Sequence, residues 1–232
     1  MAKLTLIELY PSPWSERIRW TLDAKGLPYA REEFRPFVDS AAHLERTGIA
    51  TAPVLLADGD VVGDSDAAVD WIEAHHPTPA LVPADPAARA AVRAFEVTAT
   101  EAIGPFARLV SIGRWKAAGV EPLGSYFGDK YGWSEAAEAR GRRVLVGLLA
   151  DLARAVADRP YLVGDGFTRA DLTVASLLAA PLGHPADDLF TLDPGMRPLF
   201  GLPLADDPAL APLRAWRDAL YRRHRGRRVT PA

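Results

Sequence analysis

Four prolines between residues 77 and 86 divide the chain into two parts with different residue patterns. Proline fixes the backbone φ angle and lacks an N–H donor, so this stretch predicts a stiff connector rather than a helix or strand. Before it, strand and helix patterns alternate, whereas no convincing strand pattern follows it. We therefore expect a mixed α/β domain over residues 1–78 and an all-helical domain over residues 86–232.

The composition is that of an ordinary folded protein, and it excludes several classes of function. Of the 232 residues, 49% are hydrophobic and 25% charged, and the net charge of −3 gives no general attraction to nucleic acid or to an anionic membrane. The absence of cysteine excludes disulfides, cysteine-ligated metals and chemistry at a thiol of the protein itself. The first residues lack the long apolar stretch of a signal peptide, and no apolar run is long enough to span a bilayer. We expect a cytoplasmic protein with no membrane and no nucleic-acid partner.

The part before the prolines predicts a β-α-β unit followed, after a loosely structured link, by a β-β-α unit. The predicted elements are strands at 4–10 and 29–34, helices at 15–25 and 65–75, a short irregular helix at 36–48, and a hairpin around Asp58–Gly59. A four-stranded mixed sheet with helices on both faces satisfies this order.

The part after the prolines predicts helices joined by loops. Helical periodicity covers 89–115, 135–157, 168–178 and 210–223. Many Pro, Gly and Asp residues predict an extended surface loop over 184–208. The side chains of Thr168 and Asp171 predict a reciprocal capping box at the start of one helix. The basic run at 222–228 is expected to be a solvated helix end.

Four local motifs occur in a defined order along the chain. They are Ser12-Pro13-Trp14-Ser15-Glu16-Arg17-Ile18-Arg19, Ala52-Pro53-Val54-Leu55, Gly63-Asp64-Ser65 and Leu162-Val163-Gly164-Asp165-Gly166-Phe167-Thr168-Arg169-Ala170-Asp171. Together they resemble the cytosolic glutathione transferases over nearly the whole chain, with patterns closest to the serine-type tau and zeta classes. The resemblance implies a thioredoxin-like N-terminal domain, an all-helical C-terminal domain and a homodimer.

The resemblance also implies an activity. It implies an enzyme without metal that conjugates the thiolate of glutathione, as co-substrate, to a small apolar electrophile. Two alternatives share the fold: a glutathione-dependent isomerase or dehalogenase, and a non-catalytic binding or scaffold protein. A thiol–disulfide oxidoreductase is excluded because that chemistry needs a cysteine of the protein.

Ser12 is the residue to which the resemblance assigns activation of the glutathione thiol. A free thiol has a pKa of about 8.5, so only a small fraction is ionised near pH 7. A hydroxyl that donates to the sulfur, and the first amides of the following helix, both stabilise a thiolate. Ser15 is the alternative catalytic residue, and either serine also fits an ordinary helix N-cap. Tyr10 ranks below both, because the tyrosine used by other classes aligns with Glu8.

Ala52, Pro53, Asp64 and Ser65 are the expected glutathione-binding residues. The resemblance implies a cis peptide bond before Pro53, with the backbone of Ala52 pairing to the cysteinyl part of glutathione like an added strand. It also implies that Ser65 binds the γ-glutamyl carboxylate at a helix N-terminus and that Asp64 faces the α-ammonium group. Read without the resemblance, Pro53 begins a strand and Asp64 or Ser65 caps a helix.

The chain departs from the tau-class pattern at Thr51, where a lysine that binds the glycyl carboxylate is common. His43, Arg35 and Arg46 are the cations available to replace that lysine. The acidic residue before Ser65 is also Asp rather than the commoner Glu, which is one methylene longer. These departures predict weaker binding of glutathione or a shifted pose.

The electrophile site is expected between the two domains, with Trp14 and Phe106 as its lining residues. Further candidates are Val110 and Trp115, with Arg108 and Ser111 as polar contacts. An aromatic stripe on a long helix is also typical of a packed core or a dimer interface, and these interpretations stay open for Phe106.

Overall fold

The computed structural model describes residues 3–226 and 228–231, and in that part of the chain it contains one four-stranded sheet. The strands are β1 (Leu4–Glu8), β2 (Ala30–Glu33), β3 (Val54–Ala57) and β4 (Asp60–Gly63). The helices are α1 (Pro13–Ala24), α2 (Ser40–Thr47), α3 (Ser65–His75), α4 (Pro86–Val97), α5 (Gly104–Ala117), α6 (Leu123–Lys130), α7 (Glu135–Ala155), α8 (Arg169–Leu177), α9 (Ala179–Leu182) and α10 (Ala211–Leu220). No helix in these ranges is long and apolar enough to cross a membrane.

The sheet has the strand order β2-β1-β3-β4, and its central strand is the most buried. Strand β1 pairs in parallel with β2 and antiparallel with β3, while β3 and β4 form the antiparallel hairpin around Asp58–Gly59. All five residues of β1 are buried. Ile18 of α1 and Ile72 of α3 belong to the core cluster that covers Leu6 and Leu55. The predicted mixed sheet and the thioredoxin-like α/β fold are confirmed, and so is the all-helical part that follows.

The helical part is organised around α8, whose nine residues are all buried. This helix contacts α1 from the sheet part and α4 from the helical part. The capping box at its start is present: Thr168 N and Oγ1 each lie 2.8 Å from Asp171 Oδ2. A π-helical segment, Thr98–Ile103, joins α4 to α5, so the predicted helix over 89–115 is two helices with an irregular centre.

A buried set of charged side chains joins the sheet part to the helices. Arg17 of α1 and Glu96 of α4 are fully buried, with Nη2 and Oε1 2.8 Å apart. Arg169 of α8 lies 2.7 Å from the same carboxylate oxygen. Asp66 and Asp70 of α3 lie 2.7 Å from Arg17 and 2.6 Å from Arg169. Buried charges are tolerated when they are paired and hydrogen-bonded, so this Arg17–Glu96 network fixes α1, α3, α4 and α8 in one arrangement.

Helix α6 was not predicted from the sequence. Gly124 and Gly128 lower the intrinsic helix propensity of this segment, and Pro122 precedes it directly. A Cβ atom at Gly124 would lie 3.1 Å from the backbone N of Lys116, so the glycine lets α6 approach α5 closely. Tertiary contact therefore stabilises a helix that propensity alone does not indicate.

The basic run at 222–228 is not simply a solvated helix end. Arg225 is buried and lies 2.9 Å from Glu16, and it also pairs with Asp23. Arg227 lies outside the described residues. The prediction is wrong at Arg225 because the two carboxylates that bind it belong to α1, which is remote in the sequence.

The predicted surface loop over 184–208 lacks long regular elements, but part of it is core. Phe190 is fully buried, with its ring centroid 5.1 Å from that of Tyr10 and 4.4 Å from that of His184. The same segment forms a parallel bridge with Val229 near the end of the chain. The many turn-forming residues of this segment therefore gave no indication that Phe190 anchors it in the core.

Candidate active site

Three short segments meet at one edge of the sheet. Ile7 pairs with Val54, and Val54 pairs with Gly63. Residues that follow Ile7, precede Val54 or follow Gly63 therefore lie at the same edge. This register brings together the segments that carry Ser12, Ala52–Pro53 and Asp64–Ser65.

Ser12 occupies the N-cap position of α1. Its backbone N donates to Leu9 O at 2.9 Å and its carbonyl accepts from Glu16 N at 3.0 Å. The half-buried side chain makes no hydrogen bond within the described residues. Pro13 follows without an N–H group, so the amides of the next two residues are the first donors of the helix, and they have no intrahelical acceptor. A hydroxyl and helix amides that lack protein partners are thus adjacent here.

Ser15 and Tyr10, the other candidates, are both engaged in structural hydrogen bonds. Ser15 is fully buried, and its Oγ accepts from Leu9 N at 3.2 Å, which fixes the turn between β1 and α1. The Tyr10 hydroxyl oxygen lies 2.5 Å from Thr191 O and 3.1 Å from Val229 O, so its one hydrogen faces two carbonyl acceptors. Burial raises the pKa of Tyr10 to about 12. This geometry favours Ser12 as the group that can face a ligand.

Ala52 offers an open backbone at the same edge. The Ala52–Pro53 peptide bond is cis, as the resemblance implied. Neither the N–H nor the C=O of Ala52 has a backbone partner among residues 3–226 and 228–231. The half-buried residue lies two positions before Val54, the last paired position of β3, so a ligand backbone in extended form fits beside it.

Asp64 and Ser65 lie at the start of α3, a position that fits both a helix cap and a ligand-binding site. Asp64 has φ of 88°, uncommon for a residue other than glycine, and its Oδ1 accepts from the amides of Asp66 at 2.7 Å and Ala67 at 3.4 Å. Asp64 is thus an N-cap, and its Oδ2 has no hydrogen-bond partner in the described part of the chain. Ser65 Oγ accepts from Arg17 Nη1 at 3.3 Å, which ties this position to the Arg17–Glu96 network.

The three cations considered in place of a lysine at Thr51 are placed differently from one another. Arg35 pairs with Asp39, and Arg46 pairs with Glu32. His43 is buried, and its Nε2 lies 3.1 Å from Thr51 O. His43 therefore holds the segment that leads to Pro53, while the two arginines are engaged by carboxylates.

Trp14 of α1 packs against Gly104 and Arg108 of α5. A Cβ atom at Gly104 would lie 2.6 Å from Trp14 Cζ2, so only glycine lets the indole ring pack this closely on α5. One turn along the same face, the Arg108 guanidinium lies 4.2 Å from the Trp14 ring centroid and 4.0 Å from that of Tyr131. Burial lowers the pKa of Arg108 below its ordinary value. No carboxylate in the described residues pairs with this cation.

Phe106 does not share this face. Its side chain packs on Gly141 of α7, with Cδ1 3.3 Å from the position of a Cβ atom there. Residues two apart on a helix point about 200° apart, so Phe106 is directed away from the face of Gly104 and Arg108. The core interpretation fits Phe106 better than the expected role in the electrophile site. Val110 and Ser111 are buried, and Trp115 donates its Nε1 hydrogen to Leu199 O at 3.0 Å.

A set of aromatic rings in contact with Arg108, called the aromatic wall below, was missed in the sequence. It consists of Phe37, from the segment between β2 and α2, and Tyr126, Phe127 and Tyr131, from α6 and its C-cap. Ring centroids are 4.6 Å apart for Phe37 and Tyr126 and 6.0 Å apart for Phe127 and Tyr131. The four-residue spacing of Phe127 and Tyr131 was the available signal, but it is informative only once α6 is known to be a helix.

No group of three or more His, Cys, Asp or Glu side chains suited to a metal ion occurs within the described ranges.

Comparison with known proteins gives consistent matches. Residues 6–80 match the family model of the glutathione S-transferase N-terminal domain. A maleylpyruvate isomerase from Ralstonia sp is 34% identical over 96 residues, which are 39% of this chain and 44% of that relative. The chain thus spans less than half the length of this relative. A maleylacetoacetate isomerase from Rattus norvegicus is 27% identical over 182 residues, 76% of this chain and 77% of the relative.

Similarity to a solved structure covers nearly the whole chain. The crystal structure of a glutathione S-transferase from Methylobacterium radiotolerans, in complex with glutathione sulfonate, has a TM-score of 0.70 and 29% sequence identity. The match covers 99% of this chain and 97% of that chain.

Proposed function

Because the chain belongs to the glutathione S-transferase family of enzymes, we propose that it ionises the thiol of glutathione at Ser12 and adds the sulfur to a small electrophile. The observation that carries this proposal is the Ser12 hydroxyl: it is half-buried at the start of α1 and makes no hydrogen bond within the described residues. The open backbone of Ala52 and the first turn of α3 lie at the same edge of the sheet.

The residues at this edge divide the binding of glutathione among them. The backbone of Ala52 pairs with the cysteinyl unit, the amide and hydroxyl of Ser65 bind the γ-glutamyl carboxylate, and the free oxygen of Asp64 faces the α-ammonium group. The extended pairing at Ala52 directs the cysteine side chain toward Ser12. Arg17, which donates to Ser65 Oγ at 3.3 Å, positions the carboxylate site without contacting the sulfur.

The hydroxyl and the helix terminus suffice for the ionisation. Lowering the pKa of the thiol from about 8.5 to about 6.5 requires about 2.7 kcal/mol of preference for the thiolate. A hydrogen bond to a charged group contributes about 1.5–3 kcal/mol, and a helix N-terminus adds about 0.3–1 kcal/mol. Ser12 and the first amides of α1 together supply this amount, so no further cation is needed at the sulfur.

Ser12→Ala tests the proposal directly. We expect kcat/KM for conjugation to fall about 10²–10³-fold, by analogy with the loss of one oxyanion-hole donor. The pKa of bound glutathione, followed by the ultraviolet absorbance of the thiolate, is expected to rise towards that of free glutathione. Ser15→Ala is the matched control, because it removes a buried hydroxyl and is expected to affect stability more than the thiol pKa. An unchanged thiol pKa in Ser12→Ala would refute the assignment.

Isomerisation is the second candidate, because two relatives are named as isomerases. The first step is shared: the thiolate adds to the substrate. In an isomerase the same C–S bond later breaks, and glutathione is regenerated. Counting thiols before and after turnover separates the two reactions, because conjugation consumes glutathione in proportion to product. A complete lack of heat on titration with millimolar glutathione would instead indicate a non-catalytic protein.

We also propose that the protein is a homodimer, as members with this fold are expected to be. Analytical ultracentrifugation at micromolar concentration tests this, with a mass of twice 25.1 kDa expected.

A further inference from the structure

Arg108 is a cation that the fold has partly removed from water without giving it a counter-ion. Its guanidinium contacts two aromatic rings, at 4.2 Å and 4.0 Å, and has no hydrogen bond or ion pair in the described part of the chain. Most arginines buried elsewhere here are compensated: Arg17, Arg19, Arg169 and Arg225 each contact two or more carboxylates. Leaving a partly desolvated charge without a partner costs free energy unless a ligand supplies one.

A continuous set of contacts connects this guanidinium to the segment that carries Ser12. Trp14 is two residues from Ser12, and its ring contacts Gly104 and Arg108 of α5. Arg108 contacts Tyr131, which leads through the aromatic wall to Phe37.

The wall returns to the sheet at the same edge. Phe37 follows β2, and Glu33 at the end of β2 pairs with Glu8 at the end of β1. The segments after these two strands therefore start side by side. The contacts therefore run from Trp14, next to Ser12, through Arg108 and the aromatic wall back to the sheet edge that carries Ser12.

We propose that Arg108 binds a carboxylate of the second substrate, so that the electrophile is a small anion with a planar unsaturated or aromatic part. This inference rests on the proposed function, because it assigns the second-substrate subsite beside the glutathione site at Ser12. It replaces the purely apolar electrophile expected from the sequence.

The chemistry of the guanidinium favours a carboxylate over other anions of similar charge. Its planar fork of N–H groups matches the two oxygens of a carboxylate, and the aromatic rings against it hold the fork in a fixed plane. The same rings offer flat apolar surface for the rest of the substrate. The carboxylate takes no part in the bond changes: it orients the electrophilic carbon toward the sulfur at Ser12.

Binding of paired conjugates tests the proposal without requiring turnover. The probes are S-(3-carboxybenzyl)glutathione and S-(4-carboxybenzyl)glutathione, each compared with its neutral carboxamide by calorimetric titration. We expect at least one carboxylate to bind the wild type about 10- to 100-fold more tightly than its amide. Arg108→Met is expected to abolish this ratio, and Arg108→Lys to restore part of it, because lysine keeps the charge but not the fork.

Two controls make the result specific. Lys116→Met removes another cation of α5 that lies over an aromatic ring, Trp133, and is expected to leave the ratio unchanged. S-methylglutathione, which carries no second acid on sulfur, is expected to bind wild type and Arg108→Met with similar affinity, which also verifies folding.

The outcomes separate this inference from the proposed function. Equal binding of carboxylate and amide by the wild type, with S-methylglutathione still bound, would overturn the role of Arg108 and leave the glutathione site intact. A ratio retained in Arg108→Met would overturn it as well. Failure of the wild type to bind S-methylglutathione would overturn both proposals.

Discussion

Replacing Glu96 by Gln is expected to destabilise the protein strongly. Glu96 is fully buried, and its carboxylate contacts Arg17 at 2.8 Å and Arg169 at 2.7 Å and 2.9 Å. Glutamine has nearly the same shape but places an N–H₂ group against guanidinium donors and removes the negative charge that the two arginines share. Breaking a buried ion pair from one side costs about 3–5 kcal/mol.

The remaining contacts of the network set where in this range the effect falls. Asp66 still pairs with Arg17 and Asp70 with Arg169, so we expect about 3 kcal/mol rather than 5. For a chain of this length, that corresponds to a decrease in Tm of about 6–12 °C. The free energy of unfolding of an ordinary protein is about 5–15 kcal/mol, so the expected loss is a substantial fraction of it.

Urea unfolding followed by tryptophan fluorescence measures this change. Glu101→Gln is the matched control: it makes the same substitution on an exposed side chain of the adjoining π-helical segment and is expected to change stability by less than about 0.5 kcal/mol. If Glu96→Gln unfolded within about 0.5 kcal/mol of the wild type, the network would not join the two parts as described.

Two further predictions concern buried positions. Burial lowers the pKa of His184 to about 3, so the unfolded chain binds a proton below about pH 6.5 that the folded protein does not bind. As the pH is lowered from about 6 to about 4, this group is therefore expected to reduce the unfolding free energy by about 1.4 kcal/mol per pH unit. His184→Gln is expected to remove this contribution. Equal slopes of unfolding free energy against pH in the wild type and the variant would contradict the assignment. Gly104→Ala places a methyl group 2.6 Å from Trp14 Cζ2 and is expected to cost about 1–3 kcal/mol and to shift tryptophan emission. Gly147→Ala, in α7, is the control: no atom outside the backbone of its own helix and its chain neighbours lies within 4 Å of an added Cβ, and the substitution is expected to stabilise slightly.

Much of the fold could be predicted because local signals agree with the tertiary structure. The dipeptide Asp58–Gly59 specified the hairpin, and Thr168 with Asp171 specified the start of α8. The two-residue turn also fixes the register of β3 against β4. Helix α3 occupies the predicted range over 65–75 because its cap, Asp64, lies next to its first apolar turn.

What could not be predicted depends on partners remote in the sequence. Arg225 resembles the exposed arginines around it, and only the approach of α1 gives it buried carboxylates. Helix α6 is weak in propensity and forms against α5. In the site, both Ser12 and Ser15 fit the start of α1 when only the sequence is considered. The turn after β1 buries Ser15 and leaves Ser12 half-buried, and this difference distinguishes them. The unpaired state of Arg108 is visible only when every neighbouring element has been placed.

The return of the chain end to the first strand has a consequence for protein production. The Tyr10 ring stacks on Phe190, its hydroxyl donates to Val229 O, and Arg31 donates to Thr230 O at 2.8 Å. Deletion of residues 228–231 would therefore uncover an aromatic pair and remove the carbonyl acceptors at Val229 and Thr230. Separation of the two parts at the prolines would also break the Arg17–Glu96 network, so expression of either part alone is expected to yield insoluble protein.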